Sequence, residues 1–341
     1  MLPFNTRPES DMIVYGTWEI WLIQTLQNSD GWIKPFMEMF TWAGYPQAYM
    51  AIVAIIYWSF DRRLGLRMAI FLPITASLNS ILKQGFHAPR PFWVDQSIIA
   101  MHPENGFGMP SGHAQAATVW LLAGAYLRKK WFWIIALVMT LGVGISRPYL
   151  GVHFPSQVIL GWLIGIAVII CFIRFESAVL SWLSKHKFSH QLLIVLGCSV
   201  LIFLLGSMFV LLLNTWSMPA DWESNASLYL PLDKVGLKSY GLASVAGNTG
   251  SFLGVTMGAL LMSRKEVFDA GGIWWIRLLR SFIGLVCLIL LYSGLQVISP
   301  DKSMNFLYAG WRFLGFYLIA LSAVFLIPQL FIRLNLLKNK S

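Results

Sequence analysis

Long apolar stretches broken by short polar connections run through this chain, and their length decides its class. A helix that crosses a membrane needs about 20 mostly apolar residues. Stretches that approach this occur at 44–60, 67–86, 111–128, 131–146, 155–174, 190–213, 240–262, 280–298 and 306–332, which predicts nine spans. The segment 12–42 is different. Aromatic and aliphatic residues recur there at helical spacing, but Glu19, Asp30, Lys34 and Glu38 interrupt them. That pattern predicts two amphipathic helices lying at the membrane interface, broken near 28–31. The expected fold class is all-α: a polytopic membrane helix bundle of about nine transmembrane helices with N-terminal interfacial helices.

Composition agrees with a membrane protein. Of the 341 residues 57% are hydrophobic and only 12% charged, with mean hydropathy +0.65, whereas a soluble domain carries about a quarter charged residues. Sixteen Trp match rings placed at the two water interfaces. The net charge of +10 would point to nucleic acid only if it formed one basic face. Instead the basic residues lie between the apolar stretches, and no nucleic-acid partner is expected. Alternate connections should then differ in Lys and Arg. One set, at 62–67, 128–130, 174–187, 264–280 and 333–340, holds sixteen of the 25 basic residues. This set is expected in the cytoplasm, with the N-terminus outside and the C-terminus inside.

Several features have bland readings. Cys171, Cys198 and Cys287 sit in apolar runs and read as packing residues. Residues 1–11, with Arg7, Glu9 and Asp11, lack the pattern of a secretory signal, so the first span is expected to act as its own insertion signal. Asn225-Ala226-Ser227 is a glycosylation sequon, meaningful only in a eukaryotic secretory membrane. Gly250, Gly254 and Gly258 form a small-residue ridge, read as internal helix packing.

Chemistry concentrates between Lys83 and Gln157, in three clusters: Lys83 with Arg90-Pro91, then Pro110-Ser111-Gly112-His113, then Ser146-Arg147 with His153. All three fall on the same, non-cytoplasmic side of the expected topology. Three cations, two histidines and a small-residue turn match an oxyanion that needs fixed positive donors. The start of a helix at Ser111 offers unpaired N–H groups to an anion, and Gly112 allows close approach. A neutral imidazole at His153 can attack phosphorus if its other nitrogen is held. Gln157, one helical turn on, has a carbonyl that can accept that hydrogen bond. His87, Asp95, His102 and Glu104 lie in or near the connecting loop and read first as solvated loop residues, the alternatives being that they shape the substrate entrance or that one carboxylate partners a histidine.

These three clusters resemble the signature of the type-2 phosphatidic acid phosphatase superfamily, which includes vanadium haloperoxidases. Most members carry Asp four residues after the second histidine. Gln157, the run from Ser146 to Val158, Arg90-Pro91-Phe92-Trp93 and the nine spans resemble instead the glucose-6-phosphatase branch. The resemblance implies His153 as nucleophile forming a phosphohistidine and His113 as the acid and then the base. It implies Lys83, Arg90, Arg147, Ser111 and Gly112 as phosphoryl holders, no metal or other cofactor, and vanadate as an inhibitor. Residues 1–43 are then an interfacial segment, 44–175 the catalytic core with spans 1–5, and 176–341 spans 6–9.

The expected function is a membrane phosphatase acting on a sugar phosphate of the glucose 6-phosphate kind, or on a lipid phosphate or prenyl diphosphate. Two alternatives stand beside it: a phosphotransferase that passes the group to an alcohol, and an anion transporter. The lack of a double-lysine ending favours a bacterial inner membrane with the site facing the periplasm, or the endoplasmic reticulum lumen in a eukaryote.

Overall fold

The computed structural model describes residues 16–29, 31–212, 216–230, 237–265 and 268–339. Residues 1–11, Asp30 and Lys340, named above, lie outside the described residues. The elements are helical apart from a short antiparallel pairing of Phe268–Asp269 with Lys338–Asn339.

Helix α1 (Thr17–Gln27), a single 3-10 turn and α2 (Lys34–Ala43) lead into α3 (Pro46–Ser59), and the segments 31–43 and 46–59 meet at 64°. Asp61 caps α4 (Arg62–Phe86) by accepting from the Leu64 N–H at 2.9 Å, and His87 closes that helix in the left-handed region. The four-residue α5 (Pro91–Val94) follows, and a loop over 95–111 leads to α6 (Gly112–Ala117) and α7 (Val119–Leu127). Next come α8 (Lys130–Tyr149), α9 (Pro155–Ser184), α10 (Phe188–Leu212) and the short α11 (Ala220–Ser227). The C-terminal part holds α12 (Leu237–Ser263), α13 (Trp274–Val297), α14 (Asn305–Leu321), a π turn over 322–326 and α15 (Ile327–Arg333).

Seven helices among the described residues are long and apolar enough to span a membrane, or eight if the bent pair counts as one span. The sequence-based count of nine is therefore not reached, for two local reasons. Helix α3 has only 14 residues. The stretch 111–128 forms α6 and α7, which adjoin at Thr118 and together end at Leu127, short of the length a span needs. The long faces of α9, α10 and α13 expose Leu163, Ile170, Leu193, Leu204, Phe282 and Leu290. An apolar surface of that extent belongs in a bilayer, and the chain is an integral membrane protein.

Three sequence readings change. Cys171 and Cys198 are exposed on the outward faces of α9 and α10 and pack against nothing inside. Asn225 is buried, donating to the Trp93 carbonyl at 2.9 Å and accepting from Gln96 at 2.7 Å, so the sequon is a helix tether with no accessible amide. The N-terminal helices are not merely interfacial. Buried Glu19 accepts from the Ser156 N–H at 2.9 Å, and Gln27 donates to the Ile99 carbonyl at 2.7 Å, so α1 clamps the starts of the 95–111 loop and of α9.

The glycine ridge does what its spacing suggests. A methyl group on Gly250 or Gly254 would run into the carbonyl oxygens of Phe313 and Tyr317 on α14, and one on Gly258 would lie 3.0 Å from Val324. Gly254→Leu is expected to pry α12 from α14 and destabilise the protein by roughly 1–3 kcal/mol, the usual cost of overpacking. A detergent thermal melt checks this; an unchanged midpoint would mean that the helices are free to separate.

Candidate active site

The residues of the three clusters singled out by sequence come to one end of the bundle. The C-terminal turn of α4, the N-terminus of α6, the C-terminal turn of α8 and the N-terminus of α9 meet there, roofed by the 95–111 loop. Arg90 leaves α4 behind and opens α5. Its side chain is 1% exposed and donates to the carbonyls of Gly106 at 2.8 Å, Val152 at 2.9 Å and Asn105 at 3.2 Å. Arg147, wholly buried in the last turn of α8, donates to the Thr41 hydroxyl at 3.0 Å, and Thr41 also pairs with Ser146 at 2.9 Å. Thr41 thus brings α2 into the site. Lys83 donates to the Phe107 carbonyl at 2.7 Å.

The two histidines face each other across this cluster. His153 lies in the tight connection between α8 and α9. Gly151 turns that connection with φ +72°, close under the Ile99 carbonyl, where a side chain would clash. The Nδ1 of His153 stands 3.1 Å from Gln157 Oε1, and its Nε2 is 3.3 Å from Arg90 Nη1. With Nδ1–H donating to Gln157, the Nε2 lone pair faces the cations. The amide of Gln157 donates to the Pro89 carbonyl at 2.8 Å, so one side chain holds His153 and the entry to α5 together. Burial, and next to it the Arg90 charge, hold His153 well below the ordinary histidine range, which keeps its imidazole neutral at physiological pH. Across the cluster, His113 packs edge-on against Tyr45, and its buried Nε2 has no hydrogen-bond partner.

Ser111 and Gly112 cap α6. The Ser111 hydroxyl accepts from the Ala114 N–H at 3.4 Å, and its own N–H donates to the Gln157 carbonyl at 3.0 Å. Asn79 on α4 donates to Gln115 at 2.8 Å and to the Pro110 carbonyl at 3.2 Å, while Gln115 donates to Thr75 at 2.8 Å. This buried polar chain ties α6 to α4 and fixes the cap against Lys83.

Glu104 is the correction that matters most. It was read as a solvated loop residue, yet its carboxylate reaches into the middle of the cluster. One oxygen pairs with Arg147 and lies 3.5 Å from His113 Nδ1; the other is 3.1 Å from Arg90 and 3.8 Å from His153 Nε2. Burial pushes its carboxyl up, but Arg147, His113 and Arg90 outweigh that and hold it well below the usual carboxylate range. Of the other loop residues, His87 stacks on Phe107 and Trp216, and Asp95 caps the Ser97 N–H at 2.8 Å, so neither joins the cluster. Thr41, Asn79, Gln115 and Glu104 are site residues that spacing alone did not reveal. Only Glu104 carried a signal, as one of two acids in the loop that joins the first two clusters.

With this geometry in view, the family follows. The PAP2 superfamily profile matches residues 64–181, and that of the PAP2 superfamily phosphatase transmembrane extension matches residues 246–340. Phosphatidylglycerophosphatase B of Bacillus subtilis is 30% identical over 162 residues, which are 43% of this chain and 77% of that protein. The chain belongs to the PAP2 superfamily of membrane phosphatases. An undecaprenyl-diphosphatase of Sulfolobus acidocaldarius is 30% identical over 117 residues, 34% of this chain and 57% of that protein's length. Bovine glucose-6-phosphatase 3 is 27% identical over 263 residues, 69% of this chain and 72% of that protein. A crystal structure of a transmembrane PAP2-type phosphatidylglycerolphosphate phosphatase from Bacillus subtilis aligns with TM-score 0.41 at 25% identity, over 48% of this chain and 86% of that one.

Glu104→Gln removes the internal negative charge while keeping the side chain's size. Because Glu104 stays ionised across the neutral range, its competition with an added oxyanion should not fade there. The substitution is expected to tighten inhibition by vanadate about tenfold, the equivalent of about 1.4 kcal/mol. An unchanged or weaker inhibition constant would show that Glu104 does not compete for the cluster.

Proposed function

We propose that the protein is a phosphatase that removes a terminal phosphoryl group from a lipid phosphate or prenyl diphosphate, through a phosphohistidine on His153. The observation that carries this reading is the place of the Glu104 carboxylate: one small anion lies between the two arginines and between the two histidines. A phosphoryl group seated there has the imidazole of His153 on one side and that of His113 on the other, the in-line arrangement that phosphoryl transfer needs.

In this mechanism Nε2 of His153 attacks phosphorus, and the phosphorus–oxygen bond to the leaving group breaks. His113, protonated at that moment, gives its proton to the departing oxygen. Arg90, Arg147 and Lys83 hold the equatorial oxygens, with the Ser111–Gly112 cap beside them. His113, now neutral, takes a proton from water, the hydroxide attacks phosphorus, and the phosphorus–nitrogen bond breaks to release inorganic phosphate and restore His153. Gln157 keeps His153 in the reactive tautomer through both steps.

A cavity of about 490 Å³ favours a lipid substrate. It begins at Lys83, Arg90, Glu104 and His113 and runs along α4 to Ala69, with Met50, Val53 and Leu72 among its walls. Fourteen residues of helix are about 21 Å, longer than one leaflet's share of a hydrocarbon core about 30 Å thick. At its far end, walled by Val53, Ala69, Leu72 and Ile319, hydroxyl groups of a sugar would find few partners. The likeness to glucose-6-phosphatases and Gln157 favour the sugar as the second reading. The excess of Lys and Arg on the opposite connections supports a non-cytoplasmic site, facing the periplasm if the membrane is a bacterial inner membrane.

Purified protein is expected to release phosphate from phosphatidic acid and prenyl diphosphates much faster than from glucose 6-phosphate. Release from the sugar alone would overturn the lipid assignment. His153→Ala and Arg147→Ala should each lower turnover by at least about a thousandfold, an extent typical of losing a nucleophile or its main charge stabiliser. Protein quenched in alkaline detergent after mixing with labelled substrate should carry an alkali-stable, acid-labile phosphoryl group that His153→Ala lacks; a label that persists in that variant would exclude His153 as the nucleophile.

A further inference from the structure

Beyond Lys83 and Arg90, the cavity has a third cation, contributed by the C-terminal extension. Arg312 lies two turns into α14 and lines the same space as Lys83 and His113. Its guanidinium rests over the Phe316 ring, 4.4 Å from the centroid, and its buried Nε has no hydrogen-bond partner. No described carboxylate forms an ion pair with it. It lies within the predicted span 306–332, and in the fold it lines the inner space. An arginine inside a membrane span is costly to keep and marks a path or site for charged groups.

Its level in the cavity follows from its neighbours. A methyl group on Gly247 would lie 3.7 Å from Arg312 Nε, and the next residue, Asn248, donates to Ser80 Oγ at 2.9 Å. Ser80 precedes Lys83 by three residues of α4, about 4.5 Å of rise. Ser244, Asn248 and Ser251 of α12 also line the space, whereas farther along the cavity the lining is Leu72, Val53 and Ile319. The order along the cavity is thus the phosphoryl cluster, a polar belt with one unneutralised guanidinium, then an apolar length.

We infer that Arg312 binds a second phosphate of the substrate, one that lies between the scissile phosphoryl group and the lipid chain. This rests on the lipid reading above and narrows it to lipids that carry two phosphates in series. Such a group has two chemical sources, a diphosphate linked directly to a prenyl chain and a glycerol-bridged pair as in a phosphatidylglycerol phosphate. Both present an internal phosphate one step inward from the reacting one. A guanidinium that forms paired hydrogen bonds to phosphate oxygens suits either.

The test uses four substrates in two matched pairs: farnesyl phosphate with farnesyl diphosphate, and phosphatidic acid with phosphatidylglycerol phosphate of the same acyl chains. KM and kcat for phosphate release are measured in detergent micelles for the unaltered protein, Arg312→Gln and Arg312→Lys. Arg312→Gln is expected to raise KM about tenfold, the effect of one lost charge-assisted contact, for the two-phosphate member of one pair. The matching one-phosphate substrate should change less than about twofold, and Arg312→Lys should recover most of the loss. The pair that responds identifies the source of the second phosphate. Equal effects on one- and two-phosphate substrates, or none, would overturn the assignment, as would failure of both variants to fold, since the guanidinium would then be structural. If the unaltered protein hydrolyses none of the four, the lipid reading itself fails and this site with it.

Discussion

Two guanidinium groups buried side by side, those of Arg90 and Arg147, set the terms for everything around them. Charges of like sign out of water are tolerated only if hydrogen-bond acceptors and an opposing charge surround them. The carbonyls of Asn105, Gly106 and Val152 wrap Arg90, the Thr41 hydroxyl meets Arg147, and the Glu104 carboxylate spans both. The 95–111 loop, the connection between α8 and α9, and helix α2 are therefore placed by the needs of two side chains. A phosphoryl dianion offers the same acceptors with more charge. On the proposed reading, binding substrate is an exchange of one internal anion for an external one, and the cluster is never left with its cations unopposed.

Such an exchange works only if the cluster keeps its shape when Glu104 leaves. The framework that holds it does not include Glu104. Asn79, Gln115 and Thr75 form a closed polar chain between α4 and α6, and Gln157 bonds at once to His153, Pro89 and the Phe154 N–H. Gly161 and Gly165 let α9 press against the Ser111 and Gln115 carbonyls, where a methyl group would collide. Preorganisation of this kind is what makes electrostatic catalysis effective, since donors that need not rearrange hold their full strength for the transition state.

Residues that act by type and local spacing were legible in the sequence; those that act by distant approach were not. Gln157 follows His153 by four residues in one helical turn, so its hydrogen bond was readable before any fold was known. Thr41 reaches Arg147 across 106 positions and Asn79 reaches Gln115 across 36, and no local pattern marks either. Glu104 was misread because acids in connecting loops are ordinarily solvated, and only the fold shows two arginines converging on this one. The stretch at 111–128 falls short as a span for another reason: its helices run only from Gly112 to Leu127, because Ser111 caps the start and Arg128 closes the end in the left-handed region. Asn225 shows the reverse error, a motif legible as a modification site whose amide is buried in two hydrogen bonds.

Helix α4 joins the chemistry to the membrane. Its last turn presents Lys83 to the phosphoryl cluster. Its middle carries Pro73, which has no N–H to give and lines the cavity. The opposite wall comes from α12 and α14, and it is pinned to α3 where the Tyr57 hydroxyl and the Trp58 indole donate to the carbonyls of Val324 and Ala323 in the π turn, at 3.1 and 2.8 Å. The matched extension over 246–340 therefore does more than add spans. It closes one side of a space whose head is built mainly by residues 64–181 and whose other walls come from α3 and α4. On the proposed reading, a change in the extension would reshape that wall without touching the His153 and His113 cluster, so that binding and phosphoryl chemistry could vary separately.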